Sequence, residues 1–237
     1  MTAQHRGLFV TGADTGVGKT FVACLIASSL RDEGMKVGVY KPLASGCRRE
    51  GSELVCEDAL RLWQAAGRPG EMEQVCPQRF EAPLAPHLAA AQEGRSIDRG
   101  LLRSGLEYWR DRCEVVVVEG VGGLLSPLSE QDYVADLACE FGYPLVVVSR
   151  NMLGAINQTL QTLTVAAAYR GGMPVAGVVL NDCPPECVAE DCSTSSNFEE
   201  LQRRSNVPLV LHVGWNASEF TTAVRWLSLA SRSSGSD

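Results

Sequence analysis

The sequence lacks long apolar runs and runs of basic residues. No segment approaches the roughly 20 apolar residues that span a bilayer, and the first residues, MTAQHR, contain no apolar core of signal-peptide length. Acidic residues outnumber basic ones by 28 to 21, which gives a formal net charge of −7. These features disfavour export, membrane insertion and electrostatic binding of nucleic acid. We therefore expect a cytoplasmic protein that acts on small molecules, with no nucleic-acid partner and no membrane partner.

Cysteines with the paired CxxC spacing of zinc sites are also missing. The nine cysteines are odd in number and scattered from Cys24 to Cys192, which argues against a disulfide framework and for a reducing compartment. Cys183, Cys187 and Cys192 are close in sequence, but their spacing is not typical of a metal site and the histidines are far away. We therefore predict that 183–197 is a loop.

The length and hydrophobic pattern predict one α/β domain. A chain of 237 residues with 45% hydrophobic residues can bury a sizeable core. Predicted strands alternate with predicted helices, which indicates an α/β fold with a mainly parallel sheet and helices on both faces. We expect a single domain over 1–237, with flexible ends at 1–6 and about 231–237. The strands are predicted at 7–12, 36–40, 115–118, 144–148, 174–180 and 207–211. The helices are predicted at 19–33, 53–66, 86–92, 98–112, 132–141, 198–205 and 217–230, with a long helix that opens within 151–157 and runs to 169.

The segment GADTGVGKT, residues 12–20, lies between the first predicted strand and the first predicted helix. Its glycines allow successive backbone N–H groups to face inward, and the helix start adds a positive dipole end, so the segment can cradle phosphate oxygens. Lys19 can reach the β- and γ-phosphates, and the hydroxyl of Thr20 can hold Mg²⁺. The match to GxxxxGK(S/T) is imperfect, because Ala13 stands where the first glycine belongs and Gly12 lies one position earlier. The segment nevertheless predicts NTP binding.

A second motif, VVVVEGVGG, begins at residue 115. Consecutive valines predict a fully buried parallel strand, and an acidic residue at the end of such a strand is where an NTPase places a group that orients Mg²⁺. Glu119 occupies that position. The alternative is that Glu119 only caps a turn, but its place beside a phosphate loop favours the functional interpretation.

Other polar residues follow predicted strands. Pro42 ends the strand 36–40, so Lys41 is presented at the edge where ligands of open α/β sheets bind, with Ser45 in the loop behind it. Asn181 ends the strand 174–180 and can bind a nucleobase edge or form a turn. The start of the long helix near 154–157 can bind an anion. Asp58 lies on a predicted helix, where nothing local distinguishes it from a solvated charge, and the proline-rich segment 67–94 could form a substrate wall.

Together, these motifs resemble those of the dethiobiotin synthetase family. The resemblance runs from residue 7 to about 182 and includes, in the family's order, GADTGVGKT, YKPLASG, PHLAAAQEG, VEGVGGLLSPL, LGAIN and LND. It implies a P-loop enzyme of biotin biosynthesis that forms a homodimer in the cytoplasm. The implied reaction uses ATP and Mg²⁺ to carboxylate 7,8-diaminononanoate with CO₂ and to close a cyclic urea, giving dethiobiotin, ADP and phosphate.

The resemblance also implies roles for individual residues. Catalysis would use Lys41, Lys19 and Thr15, and we expect each lysine to matter more to turnover than to folding. Mg²⁺ would be held by Thr20, Asp58 and Glu119. Nucleotide binding would involve Gly16, Val17, Gly18, Lys19, Thr20, Phe21, Asp58, Glu119, Gly120, Val121, Gly122, Asn181 and Asp182. Substrate binding would involve Thr15, Lys41, Ser45 and, from the partner subunit, Gly154, Ala155, Ile156 and Asn157.

Two segments depart from the family pattern. Some relatives carry glutamate where Gly16 stands, so the loop is expected to be more flexible here. The segment LHVGW, 211–215, replaces a glycine-to-Ile-Pro segment that lines the base, which leaves the base selectivity open. The alternative function is a switch ATPase of the partition or division-site type. That class has an early lysine in its phosphate loop, whereas residues 7–18 contain no lysine.

Overall fold

The structure, a computed structural model, describes residues 5–231. Most of the predicted flexible ends, 1–4 and 232–237, lie outside the described residues. Within 5–231 the strands are β1 (Arg6–Gly12), β2 (Val37–Tyr40), β3 (Leu43–Ala44), β4 (Arg48–Glu50), β5 (Glu53–Val55), β6 (Gln78–Arg79), β7 (Val115–Gly123), β8 (Leu145–Asn151), β9 (Val175–Asp182) and β10 (Val210–Val213). The α-helices are α1 (Lys19–Asp32), α2 (Glu57–Ala65), α3 (Met72–Val75), α4 (Pro86–Gln92), α5 (Arg99–Arg110), α6 (Val134–Phe141), α7 (Ala155–Ala168), α8 (Asn197–Arg204) and α9 (Trp226–Leu229), and short 3₁₀ helices lie at Tyr169–Gly171, Pro185–Cys187 and Cys192–Ser195.

The central sheet contains six strands in the order β10-β9-β8-β1-β7-β2. All of its pairings are parallel. The chain passes from β7 on one side of β1 to β8 on the other, so the strand order reverses next to β1. In open α/β sheets, ligands bind outside the carboxyl ends of the strands at such a point. The sheet therefore confirms the predicted α/β fold and brings the end of β1 to the centre of the candidate site.

Burial explains why the valine-rich segments form the central strands. The valines at 115–118 in β7 and at 146–148 in β8 are at most 1% exposed, as expected for parallel strands covered by helices on both faces. Helix α5 shows how one face is covered. Its Leu102, Leu106 and Trp109 are buried, and the Tyr40 hydroxyl of β2 donates to the Leu102 carbonyl at 2.8 Å. This packing fixes β2, and with it the position of Lys41 at the strand's end.

Two predicted boundaries around the sheet were wrong. The helix predicted at 53–66 begins only at Glu57, because residues 53–55 form β5 and pair with β4 as an antiparallel hairpin. The Cys56 thiol then accepts from the Ala59 amide at 3.4 Å and caps α2. The segment 67–94 is less irregular than predicted, since it contains α3, β6 and the predicted short helix α4, and β6 pairs with β3.

The last elements also differ from the prediction. The last strand lies at Val210–Val213 rather than 207–211, because Asn206 has a φ of 43° and Pro208 cannot donate to a sheet. The helix predicted at 217–230 is confined to Trp226–Leu229. Residues 217–225 form no helix or strand, and the ring centroids of Phe220 and Trp226 lie 5.1 Å apart. Among residues 5–231, no helix combines the length and the apolar character needed to cross a membrane.

Candidate active site

The phosphate loop connects β1 to α1 at the centre of the sheet. Gly16 and Gly18 have φ angles of 69° and 92°, in the left-handed region that glycine adopts without strain. A side chain at Gly18 would also overlap the Asn181 amide. The Asn181 Nδ2 group donates to the Val17 carbonyl at 3.1 Å. The loop is therefore held from β9, by a residue that the sequence analysis assigned to the nucleotide base.

Arg150 holds the same loop from β8. Its Nε and Nη2 atoms donate to the Gly16 carbonyl at 3.0 and 2.8 Å. A Cβ atom at Gly16 would lie only 2.6 Å from Nη2, so the absence of a side chain there permits this contact. We expected a more flexible loop at Gly16, but this carbonyl is anchored from a distant strand. Sequence reasoning missed Arg150, and the available signal was its place at the end of a buried strand, like Lys41 and Glu119.

A buried carboxylate lies beside the loop. Glu119 is 1% exposed, and its Oε1 accepts from the Thr20 hydroxyl and from the Lys41 ammonium, each at 2.7 Å. Asp58 lies 3.6 Å from the Lys41 ammonium. Four of the six side chains that the sequence analysis assigned to Mg²⁺ and catalysis thus meet at one point. Helix α2 supplies Asp58, and no local signal in the sequence could have given that position.

Burial and charge act in opposition on Lys41. Burial disfavours its charged form, but the Glu119 and Asp58 carboxylates outweigh that effect and raise its pKa. Burial also raises the pKa of Glu119, and Lys41 offsets part of the rise. The pair is therefore mutually dependent: the carboxylates favour the charged form of Lys41, and Lys41 favours the charged form of Glu119.

At Lys19, neighbouring carboxylates offset less of the effect of burial on the pKa than they do at Lys41. Lys19 is 7% exposed, and its Nζ donates to the Asp14 carbonyl at a long 3.4 Å. Burial lowers its pKa, and the Lys41 charge lowers it further against the opposing effect of Glu119. The two lysines are thus close enough to repel each other, and a bound phosphate would relieve the repulsion. This arrangement can stabilise an anion that develops between them.

The residues present fit Mg²⁺. The second oxygen of Glu119, Oε2, is buried and has no hydrogen-bond partner, while the Thr20 hydroxyl and the half-exposed Asp58 carboxylate lie nearby. In the described part of the chain, no group of three or more His, Cys, Asp or Glu side chains could hold a metal, and that includes the cysteines at 183–192. Mg²⁺ is commonly bound by one or two carboxylates together with nucleotide phosphates and water. Thr20, Asp58 and Glu119 match that donor set.

A cavity of about 410 Å³ opens on one side of the loop. Thr15, a predicted substrate residue, lies on its wall, together with four residues that the sequence analysis did not assign: Ser126, Gln158, Gln161 and Thr162. The Ser126 hydroxyl accepts from the Gly123 amide at 2.9 Å, which fixes the turn after β7. Gln158 and its neighbours come from α7.

The other predicted substrate residues lie outside this cavity. Helix α7 begins at Ala155, as the anion-binding prediction requires, with Gly154 and Asn157 exposed at its start. Within the described protomer, residues 154–157 do not line the cavity, and Ser45 is half-buried in the turn after β3. The structure of one chain therefore does not join them to Lys41.

A larger cavity of about 470 Å³ opens on the other side of the loop. The predicted nucleotide residues Gly16, Val17, Gly18, Phe21, Asn181 and Asp182 are on its wall, and so is Trp215. Asp182 Oδ1 accepts from Asn151 Nδ2 at 2.8 Å and lies 2.8 Å from His212 Nε2. These contacts tie the ends of β8, β9 and β10 together. The remaining predicted nucleotide residues, Gly120, Val121 and Gly122, continue β7 beyond Glu119.

A family model described as an AAA domain matches residues 6–219. ATP-dependent dethiobiotin synthetase BioD of Rhodopirellula baltica is 42% identical over 216 residues, which cover 86% of this chain and 82% of that protein. BioD of Anaeromyxobacter dehalogenans is 44% identical over 208 residues, covering 87% of this chain and 89% of that protein.

Among solved structures, pNOB8 ParA bound to nonspecific DNA has a TM-score of 0.53 with 12% sequence identity, and the match covers 93% of this chain and 88% of that chain. At that identity the likeness concerns the fold alone. The match to the family model spans most of the chain, and the identity to the synthetases extends over more than four fifths of each protein. This chain therefore belongs to the AAA-domain family and, within it, to the ATP-dependent dethiobiotin synthetases.

Proposed function

We propose that this protein is an ATP-dependent cyclo-ligase of biotin biosynthesis, which converts 7,8-diaminononanoate, CO₂ and ATP to dethiobiotin, ADP and phosphate. Besides the family, the observation that carries the proposal is the junction at Glu119, where Thr20 from the phosphate loop and Lys41 from β2 meet on one buried oxygen. The junction places Lys41 beside Thr20 of the phosphate loop, and Lys19 of the same loop is close enough to repel Lys41.

The reaction requires charge and position from the protein rather than a protein nucleophile. One amine of the substrate attacks CO₂ and loses a proton, giving a carbamate. A carbamate oxygen attacks the γ-phosphoryl group of ATP, and ADP leaves. The second amine then attacks the carbamoyl carbon, which closes the cyclic urea and expels phosphate. Lys41 and Lys19 stabilise the negative charge of the carbamate and of the transferring phosphoryl group.

Thr20, Asp58 and Glu119 would hold Mg²⁺, which neutralises phosphate charge when bound. The unpartnered Oε2 atom of Glu119 supports this assignment. The amides from Gly16 to Phe21 would surround the triphosphate, with Gly120, Val121, Gly122, Asn181 and Asp182 completing the nucleotide site. Thr15, on the wall of the 410 Å³ cavity, supports substrate binding there.

We further propose that the protein is a single-domain homodimer of the cytoplasm. The exposed start of α7 in each subunit, with Gly154, Ala155, Ile156 and Asn157, would bind the substrate carboxylate in the partner's site. This would explain why these residues lie outside the cavity of their own chain. All nine cysteines are free thiols, which supports a reducing compartment. The switch-ATPase alternative is not favoured, because ParA is similar at only 12% identity.

The test compares the diamine with an otherwise identical monoamine that lacks the second amino group. With MgATP and bicarbonate, the diamine should give one phosphate for each dethiobiotin, measured by phosphate release and mass spectrometry. The monoamine can form a carbamate but cannot close the ring, so it should give no cyclic product. Equal phosphate release with and without the diamine would contradict the proposal and favour a switch ATPase.

A further inference from the structure

Trp215 occupies an unusual position for a large aromatic residue. Its side chain lines the 470 Å³ cavity that also includes Gly16, Val17 and Gly18 of the phosphate loop. It is nevertheless 48% exposed. A nearly half-exposed indole inside a concave site presents apolar surface that a ligand could cover.

The sheet register explains how Trp215 reaches this cavity. Val213 at the end of β10 pairs with Asn181 of β9, and Trp215 follows Val213 by two residues. The contact between His212 and Asp182, at 2.8 Å, joins the same two strand ends. Trp215 is therefore carried to the same edge of the sheet as the phosphate loop, on the side away from Lys41.

A second observation indicates that this cavity takes a ligand. Asn181 is 8% exposed and lines the cavity. Its Nδ2 atom donates to the Val17 carbonyl, but its Oδ1 atom is buried without a hydrogen-bond partner. A buried acceptor without a donor is costly, and a ligand that brings an N–H group would remove that cost.

We infer that the indole of Trp215 is the stacking surface for the nucleobase and sets much of the protein's affinity for nucleoside over bare phosphate. The inference rests on the proposed function in one respect, since it takes the loop to hold the nucleotide's phosphates. Aromatic stacking is tolerant of base identity, because every base has a π face. The indole therefore contributes affinity for the base, and discrimination among bases is left to hydrogen bonds such as the one that Asn181 Oδ1 can accept.

The experiment measures binding of MgADP and of magnesium tripolyphosphate, a probe without base or ribose, to the full chain by calorimetry. Trp215→Ala should weaken MgADP binding about 5- to 30-fold, as expected when one stacked base loses its aromatic partner. Trp215→Phe, which retains a ring, should stay within about 3-fold of the parent protein. Neither variant should change tripolyphosphate binding. Unchanged MgADP affinity in Trp215→Ala, or an equal loss for both probes, would overturn the inference.

Fluorescence gives an independent measurement that does not depend on the affinity of the base-free probe. Trp109 and Trp226 are buried, and Trp63 is half-buried outside this cavity, with its indole nitrogen donating to the Pro69 carbonyl at 3.2 Å. MgADP should quench tryptophan emission in the parent protein and in the matched control Trp63→Phe. The quenching should disappear in Trp215→Phe, and its persistence there would contradict stacking.

The inference and the proposed function can fail separately. If Trp215-dependent MgADP binding were found without phosphate release that depends on the diamine, the synthetase proposal would fail and the stacking assignment would stand. If the diamine reaction proceeded with the same KM for ATP in Trp215→Ala as in the parent protein, the stacking assignment alone would fail.

Discussion

The two halves of the sheet's carboxyl edge hold their polar groups in different ways. In the phosphate half, next to β7 and β2, Glu119 and Lys41 are 1% and 4% exposed and contact each other directly. In the base half, next to β8, β9 and β10, Trp215 is 48% exposed and the His212 side chain 45%. The free energy of a buried charge depends strongly on its partner, whereas an exposed group that loses a contact can form a hydrogen bond with water instead. Substitutions should therefore have large and coupled effects in the first half and small, separable effects in the second.

The strongest test of this contrast is Lys41→Ala. It should lower turnover by at least about 100-fold, because it removes a charge at the transferring group. It should also destabilise the fold by about 3–5 kcal/mol, because Glu119 would be left as a buried charge without its partner. This prediction differs from the expectation drawn from the sequence, in which Lys41 matters more to turnover than to folding. Steady-state kinetics and urea unfolding measure the two effects.

The double variant Lys41→Met/Glu119→Gln separates these roles. Replacing both charges should restore most of the lost stability but none of the activity. Lys36→Ala is the matched control, since this exposed lysine precedes the opposite end of β2, and it should be nearly silent in both measurements. If the double variant lost as much stability as the two single substitutions added together, the mutual dependence of the buried pair would be contradicted.

The pH dependence of nucleotide binding tests the phosphate half in another way. The pKa of Lys19 is lowered in the folded protein, so its positive charge is lost at a pH below the ordinary lysine value of 10.5. In the window between the lowered pKa and 10.5, the unfolded chain binds more protons at this group, so the contribution of Lys19 to stability rises with pH. Binding of MgADP favours the charged form and should therefore weaken as the pH rises through that window.

Lys19→Arg provides the comparison, because a guanidinium keeps its charge throughout that range. Its affinity for MgADP at neutral pH is expected to be lower, but the alkaline decline should be absent. Calorimetric titrations from pH 7 to about 10 measure both curves. A parallel decline in the two proteins would show that the decline comes from another group.

Arg150 belongs to the base half but bonds to the phosphate loop, so it should give an intermediate effect. Arg150→Ala removes both hydrogen bonds to the Gly16 carbonyl and should raise the Kd for MgADP about 10-fold, with a smaller change in kcat. Lysine cannot reproduce the paired geometry, so Arg150→Lys should recover only part of the affinity.

Arg61→Ala is the matched control for Arg150. Arg61 lines the same cavity, but its side chain is 67% exposed and lies 3.7 Å from Glu57. Its removal should change the Kd by less than about 3-fold. Equal losses of MgADP affinity in the two alanine variants would indicate that Arg150 acts through its general electrostatic effect rather than by holding the loop.

The smallest effect is expected at His212 in the base half. His212→Ala removes the contact with Asp182 and should cost about 0.5–1.5 kcal/mol of unfolding free energy, with kcat unchanged. Urea denaturation and steady-state assays provide the measurements. A loss of unfolding free energy as large as that expected for Lys41→Ala would remove the distinction between the two halves.

The phosphate half was more predictable from sequence than the base half. Lys41 and Glu119 follow apolar strands, and parallel strands end at one edge, so their convergence could be expected. Asp58 could be located only by resemblance, because its position depends on how α2 packs after the β4–β5 hairpin. In the base half, Arg150 looked like any charge after a strand, and the irregular course of 217–225 lacks the periodicity that sequence reasoning uses. Packing between distant segments determines these positions, and no local pattern encodes it.

The two anchors of the phosphate loop bear on how quickly a nucleotide can bind. The Gly16 and Val17 carbonyls are bonded to Arg150 and Asn181, from two neighbouring strands. Folding itself thus supplies the loop's shape, and an incoming nucleotide need not order it. Binding therefore does not carry the entropy cost of ordering the loop. The rate of association should be governed by diffusional encounter rather than by a slow closing of the loop.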